Sequence, residues 1–345
     1  MSIRIVSHKL QFRKPAKTSR DVLTSRDVHY VIMSDETGTY HGIGECAPIA
    51  GLSKENLDDL VNTLHQLNDI IDHPEEMSKA ITDFSSLRFA LESAISDMVN
   101  GGKRKLFDFD ADARIPVNGL IWMNEKQAML DEARQKIASG YTTIKLKIGG
   151  INFEDELDIL KTIRKDFKEN DLVIRLDANG AFHPDKALEK LKRLSEFQIH
   201  SIEQPIKAGQ WQEMASLVHQ SPIDIALDEE LIGIHDAGKK KEMIETIKPA
   251  YLILKPSLHG GFSGCDEWIH LGAMQGTQWW ATSALESNIG LNAIAQWVAT
   301  KGVILPQGLG TGQLFANNIQ SPLDIESGYF FWNKEKQWNL PGIFD

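Results

Sequence analysis

The run Leu172-Val-Ile-Arg-Leu-Asp177-Ala-Asn179-Gly180 constrains the fold of this 345-residue chain more than any other stretch. An almost continuous apolar segment ends in a carboxylate and then breaks at glycine. That is the pattern of a strand buried on both faces, with a charged group at its C-terminal end. The pattern returns in Ser201-Ile-Glu203-Gln-Pro205 and in Ile223-Asp-Ile-Ala-Leu-Asp228-Glu-Glu230. The spacing, about 25 residues, is that of one strand, one helix and two loops. Parallel strands ending alike bring Asp177, Glu203 and Asp228 to one end of a sheet. Three anions there repel one another, and a hard divalent cation is their natural counter-charge.

The same rhythm extends over most of the chain. Strands are expected over 115–122, 142–149, 172–177, 201–203, 223–228, 251–255, 278–283 and 303–306. Helices are expected between them, one opening at His183-Pro184, where proline suits the first turn. Asn124 and Gln127 resemble a capping box for a helix ending before Gly140. About eight strand-helix repeats predict a closed parallel barrel of the TIM type rather than an open doubly wound sheet. No dinucleotide-type glycine signature follows the first of these strands.

Residues 1 to about 112 read differently. Strands over 3–12, 28–33 and 40–46 form an antiparallel meander. A helix capped by Ser53 carries Leu57, Leu60, Leu64 and Leu67 on one face, and a second runs from about Ser78 to Val99 before Gly101-Gly102. This is an α+β domain, and the segment from Tyr329 to Asp345, without helical periodicity, is expected to return to it as a strand. The boundaries expected are 1–112, with 320–345 returning to it, for the α+β domain and 113–319 for the barrel. Two loops of the front domain stand out. Arg13 to Arg26 carries Arg13, Lys14, Lys17, Arg20 and Arg26, and Ala47-Pro-Ile-Ala-Gly-Leu52 is apolar with a glycine hinge. They are either a solvated and a packed loop or a lid over an anionic substrate.

A net charge of −11 makes a nucleic-acid or anionic-membrane surface an unsuitable main partner. No stretch is apolar for long enough to span a bilayer, and Met1-Ser-Ile-Arg-Ile is no signal peptide. Cys46 and Cys265 are isolated, without metal spacing, and fit a reducing cytoplasm.

In a barrel of this type the site lies at the C-terminal strand ends. Reading off those ends yields Lys145, Lys147, Asp177, Asn179, Glu203, Asp228, Lys255, Ser283 and Glu286. Lys145 and Lys147 stand two apart and share one face of their strand, which must point into the barrel mouth, because burying an unpaired ammonium is costly. Any one of these charges alone reads as an ordinary strand-end ion pair. Six of them at equivalent positions on five strands form a constellation. A metal held by Asp177, Glu203 and Asp228 would grip a substrate carboxylate and acidify the neighbouring C–H. A lysine base needs its pKa lowered from about 10.4 toward neutrality, and the metal and the Lys145 ammonium would both act so on Lys147. Lys255, with three strands intervening, would face the substrate from across the mouth. An all-oxygen donor set favours magnesium, or manganese in its place, over zinc.

Lys-Leu-Lys at 145–147, Asp-Ala-Asn at 177–179, Glu-Gln-Pro at 203–205, Asp-Glu at 228–229 and Lys255 in Leu-Lys-Pro resemble the muconate-cycloisomerase-like branch of the enolase superfamily. Within that branch, Lys255-Pro-Ser-Leu-His-Gly-Gly261, Thr282-Ser-Ala-Leu-Glu-Ser-Asn-Ile-Gly-Leu291 and Gly308-Leu-Gly-Thr-Gly312 are most like the o-succinylbenzoate synthases. Phe182 departs from the branch, where tryptophan is common. The resemblance implies a capping domain on a modified barrel, acting in menaquinone synthesis. The reaction implied is dehydration of 2-succinyl-6-hydroxy-2,4-cyclohexadiene-1-carboxylate to o-succinylbenzoate. By residue, it implies Lys147 as base and then acid, Lys255 as the opposing cation, and Lys145 as the group that tunes Lys147 and touches the carboxylate. Ser283, Gly260 and Asn179 are expected at the substrate. The alternatives are an N-acylamino-acid racemase or dipeptide epimerase, in which Lys147 and Lys255 act as opposed acid and base, and a metal-binding scaffold without activity. The Asp-x-Asp motif usual in dipeptide epimerases is missing from Gly308-Leu-Gly-Thr-Gly312. The partner expected is a small carboxylate, for a monomer or homo-oligomer.

Overall fold

A computed structural model describes residues 1–17, 22–302 and 304–343. The front domain opens with an antiparallel sheet of β1 (Ser2–Lys17), β2 (Val22–Ser34) and β3 (His41–Cys46), paired in that order. Helices α1 (Leu57–Ile70), α2 (Pro74–Ala80) and α3 (Ser85–Val99) cover one face. Alternation along β2 decides the packing: Val31 and Met33 join Leu60, Leu64, Leu67 and Leu87 beneath the helices, while Val28, Tyr30 and Ile32 face the opposite way. Gly42 and Gly44 let β3 lie against α3, since a Cβ on Gly44 would stand 1.8 Å from the Ala90 carbonyl oxygen.

Local chemistry departs from expectation at three helix starts. Asn56, not Ser53, caps α1, its Oδ1 accepting from the N–H groups of Asp58 and Asp59. Ser53 closes a turn, accepting from Ile49 N–H at 2.9 Å. The helix expected from Ser78 is two, because α2 starts earlier, at Pro74, and the helix is interrupted between Ala80 and Ser85. The capping box at Asn124 is not made. Asn124 accepts from Glu125 N–H and Gln127 turns to Asp131.

The second domain alternates regularly. After β4 (Ile115–Pro116) come β5 (Gly119–Ile121), α4 (Lys126–Ala138), β6 (Thr143–Lys147), α5 (Phe153–Asp166), β7 (Val173–Asp177) and α6 (Pro184–Ser195). Then follow β8 (Ser201–Glu203), α7 (Trp211–Gln220), β9 (Asp224–Leu227), α8 (Ala237–Ile247), β10 (Tyr251–Leu254), α9 (Gly261–Ala273), β11 (Gln278–Ala281) and α10 (Asn288–Ala299). Strands β5 to β11 form one parallel, curled seven-stranded sheet in sequential order.

The eighth strand expected over 303–306 does not form among the described residues, and Val303 lies outside them. Pro306 has no N–H to donate, and Ile304 is exposed. Instead Gln307 bridges to Val117 and Gly308 to Thr282, joining the two edges of the sheet through two residues. The strand expected over 115–122 is also divided, since β4 leaves the barrel. It pairs with β13 (Tyr329–Trp332), which pairs with β12 (Leu323–Glu326). Among the described residues, the final segment therefore does not return to the front domain as a strand. Beyond β13 it packs there by side chains, with Trp338, Leu340 and Ile343 against Leu10, Val28 and Tyr30. No helix among the described residues is long and apolar enough to cross a membrane.

Candidate active site

A cavity of about 1130 Å³ opens at the C-terminal ends of the barrel strands, beneath the front domain. Lys145, Lys147, Asn179, Glu229, Lys255, Thr282 and Ser283 line its barrel side. Arg13, Lys14, Leu23 and the segment Ile49–Leu52 line the opposite side. Trp122, Met123 and Tyr141 contribute apolar and aromatic wall that the charge pattern of the sequence did not reveal.

The register of β6 on β7 sets Lys145 beside Arg175 and Lys147 beside Asp177, and that of β7 on β8 sets Asp177 beside Glu203. With Leu146 in the hydrophobic core, both lysines turn into the barrel, as their spacing requires. The Lys145 ammonium donates to Asp177 Oδ2 at 3.0 Å and to Glu203 Oε2 at 2.9 Å. Lys147 donates to the same Asp177 oxygen and, at 2.8 Å, to Asn179 Oδ1. Lys255, one residue beyond β10, pairs with Asp228 Oδ2. Three strands stand between β6 and β10 in the sheet. The carboxylates thus lie beneath a floor of ammonium groups, Asp177 and Asp228 fully buried and Glu203 1% exposed.

Burial opposes the charge on Lys145, but the Asp177 and Glu203 carboxylates outweigh it and hold the ammonium above its ordinary range. Burial also opposes the charge on Lys255, and Asp228 and Glu203 reverse it. Both groups are therefore fixed cations. Asp177, despite burial, is held well below the usual carboxylate range by Lys145 and Lys147. Glu203 is pushed up to about 8, by burial and by the neighbouring charge of Asp177.

The donor chemistry fits a hard cation. All three carboxylates are oxygen donors, and Glu203 Oε1 and Asp228 Oδ1 are buried without a hydrogen-bond partner among the described residues. The raised Glu203 carboxyl marks a cluster short of positive charge. Their present spacing is another matter: among the described residues no three Asp, Glu, His or Cys side chains stand close enough together to hold a metal ion. The ammonium groups take the carboxylate oxygens instead.

The remaining expected residues divide. Asn179 adopts φ +44° and links the lysine face to β9, accepting from Lys147 and donating to Glu229 Oε1 at 2.9 Å. The sequence carried Glu229 only as the second residue of an Asp-Glu pair. Ser283 reaches the cavity with its hydroxyl committed, donating to Glu286 Oε2 and accepting from Thr311 at 2.7 Å. Gly260 lies outside the cavity lining. Its φ of +86° starts α9, and its open side faces Arg88 and His235. The expected polar loop is mostly strand: Arg13 and Lys14 belong to β1, which runs on to Lys17, and Arg26 belongs to β2. Arg20 lies outside the described residues. Arg26 does not line this cavity; it is buried and donates to the carbonyls of Ala47 and Ala284.

Comparison with known proteins places the fold in a family. Residues 128–335 match the family of Enolase C-terminal domain-like proteins. The chain is 44% identical to the o-succinylbenzoate synthase of Desulfotalea psychrophila, over 92% of this chain and 95% of that one. The crystal structure of MenC from the same organism superposes with a TM-score of 0.85 at 40% identity, covering 96% of this chain and 99% of that one. A dipeptide epimerase from Enterococcus faecalis, complexed with Mg and L-Leu-L-Tyr, shares the fold with a TM-score of 0.84 at 20% identity, each chain covered to 96%. A chain so similar over nearly its full length, with three lysines above three carboxylates at its strand ends, belongs to the o-succinylbenzoate synthase family of the enolase superfamily.

Proposed function

We propose that this chain catalyses the dehydration of 2-succinyl-6-hydroxy-2,4-cyclohexadiene-1-carboxylate to o-succinylbenzoate, in the cytoplasm and within menaquinone synthesis, with magnesium bound by Asp177, Glu203 and Asp228. The observation that carries the reading is the convergence of Lys145, Lys147 and Lys255 on one cavity in a chain 44% identical to an o-succinylbenzoate synthase. When bound, the cation supplies positive charge to the substrate carboxylate, which makes the neighbouring C–H more acidic. Lys147 removes that proton. The electron pair left on carbon is held as the enediolate and then returns to form the new ring double bond as the C–OH bond breaks, and the proton taken by Lys147 leaves with the hydroxyl as water. Lys255, held cationic by Asp228, stabilises the enediolate from across the cavity. Lys145, held cationic by Asp177 and Glu203, meets the carboxylate end. Aromatisation drives the elimination, so one base and one opposed cation are enough.

The test is an assay of o-succinylbenzoate formation with added magnesium and again in EDTA. Turnover is expected only with the metal, and Lys147→Ala should lower kcat by about 10³-fold or more. Turnover undiminished in EDTA, or a near wild-type kcat in Lys147→Ala, would overturn the assignment. Lys255→Arg separates dehydration from racemisation, because a guanidinium preserves charge but cannot exchange a proton. Dehydration should survive in part.

A further inference from the structure

Lys255 is anchored by a neighbour that the mechanism above does not use. Its peptide N–H donates to Nδ1 of His259 at 3.0 Å. The N–H groups of Leu258 and His259 return to the Lys255 carbonyl at 2.8 and 3.0 Å. Both the donor and the acceptor of this residue are therefore closed within one turn, just where β10 ends. Ser257, in the same turn, donates to Glu286.

The imidazole is only 2% exposed, and its Nε2 has no hydrogen-bond partner among the described residues. Because Nδ1 accepts, the neutral ring carries its proton on Nε2, where a buried donor is left unanswered. Leucine or methionine would fill similar space without that penalty. What only the imidazole offers here is an acceptor aimed at the Lys255 peptide. The lysine stem pivots on that Cα, so a small rotation of the peptide swings Nζ away from Asp228 and across the cavity. A catalytic group displaced by about 1 Å loses about 100-fold in rate.

We propose that His259 is a positioning residue for Lys255: its Nδ1 fixes the Lys255 peptide and thereby the direction from which the ammonium enters the cavity. This rests on the role given to Lys255 above.

The experiment compares the full-length wild type with His259→Leu and His259→Met, which lack an acceptor, and His259→Gln, whose amide oxygen restores one. Steady-state dehydration, thermal melting and amide hydrogen exchange over residues 251–262 are measured for each. The apolar variants should lose about 10- to 100-fold in kcat with KM changed less than about threefold. They should melt within a few degrees of the wild type and exchange faster across this peptide. His259→Gln should recover most of the kcat and of the protection. If Leu fails to fold, Met stands in its place. The proposal is overturned if the apolar variants keep wild-type kcat, if the loss lies in KM alone, if Gln is as impaired as Leu, or if exchange is unchanged. A wild type that does not dehydrate this substrate sinks the proposed function instead, and the exchange measurement still decides whether His259 holds the Lys255 peptide.

Discussion

At the scale of single residues, the site is a set of buried charges that are tolerable only together. Lys145 is shared by two carboxylates that are almost wholly buried. Removing one member of such a set costs more than the set itself contributes, because a charge stays behind unpaired. Lys145→Met should destabilise the protein by about 3–5 kcal/mol in urea unfolding performed in EDTA. His200 makes a second residue-level case. It packs against Tyr251 and Trp280, and burial, with the nearby Arg175 charge, pushes its pKa down to about 4. Between about 6.5 and about 4 the unfolded chain takes up a proton that the folded chain refuses, so stability falls as pH drops through that window. Melting temperatures between pH 7 and pH 4.5 should fall less steeply in His200→Phe. The two-residue spacing of Lys145 and Lys147 was legible because strand side chains alternate. The bond from Asn179 to Glu229 was not, because it depends on a positive φ and on a partner 50 residues away.

At the scale of elements, types were more readable than ends. Apolar periodicity marks the helices and barrel strands because burial imposes it, but helix starts depend on which of several nearby polar side chains reaches an N–H. Asn56 succeeds where Ser53 was expected, since Ser53 is already bound in its own turn. The missing eighth strand has a related cause. Gln307 and Gly308 suffice to bridge the chain beside β5 and β11, at Val117 and Thr282, and a Cβ on Gly308 would stand 2.6 Å from Thr282 Oγ1. Contact between β3 and α3 is tighter still. Gly44→Ala drives a methyl against backbone that cannot yield without moving the helix, and should cost about 3 kcal/mol or more, read from the urea midpoint.

At the scale of the whole molecule, the cavity exists because the front domain closes over the strand ends, and a buried polar junction holds it there. Arg26 on β2 spans the carbonyls of Ala47 and Ala284. Glu45 on β3 accepts from Ser287 and from Gly290 N–H at the start of α10. Arg26→Met strands two buried carbonyls and should lower stability by about 2–4 kcal/mol. It should also raise KM, because Ile49 to Leu52 would no longer be held over the cavity. Metal linkage belongs to this scale as well. Magnesium at about 100 times its dissociation constant should add about 2.7 kcal/mol of stability. The accompanying rise in melting temperature should vanish in Asp228→Asn.

The order of strands and helices, the inward turn of Lys145 and Lys147, and the placing of Asp177, Glu203 and Asp228 at strand ends were determined by the sequence alone. Each follows from local periodicity and from the cost of burying charge. Tertiary structure decided the rest: that two residues take the place of an eighth strand, that Arg26 locks domains instead of meeting substrate, that Gly260 turns away from the cavity, and that His259 holds Lys255. These depend on which distant groups meet, and no local pattern encodes a contact whose two halves lie on separate elements.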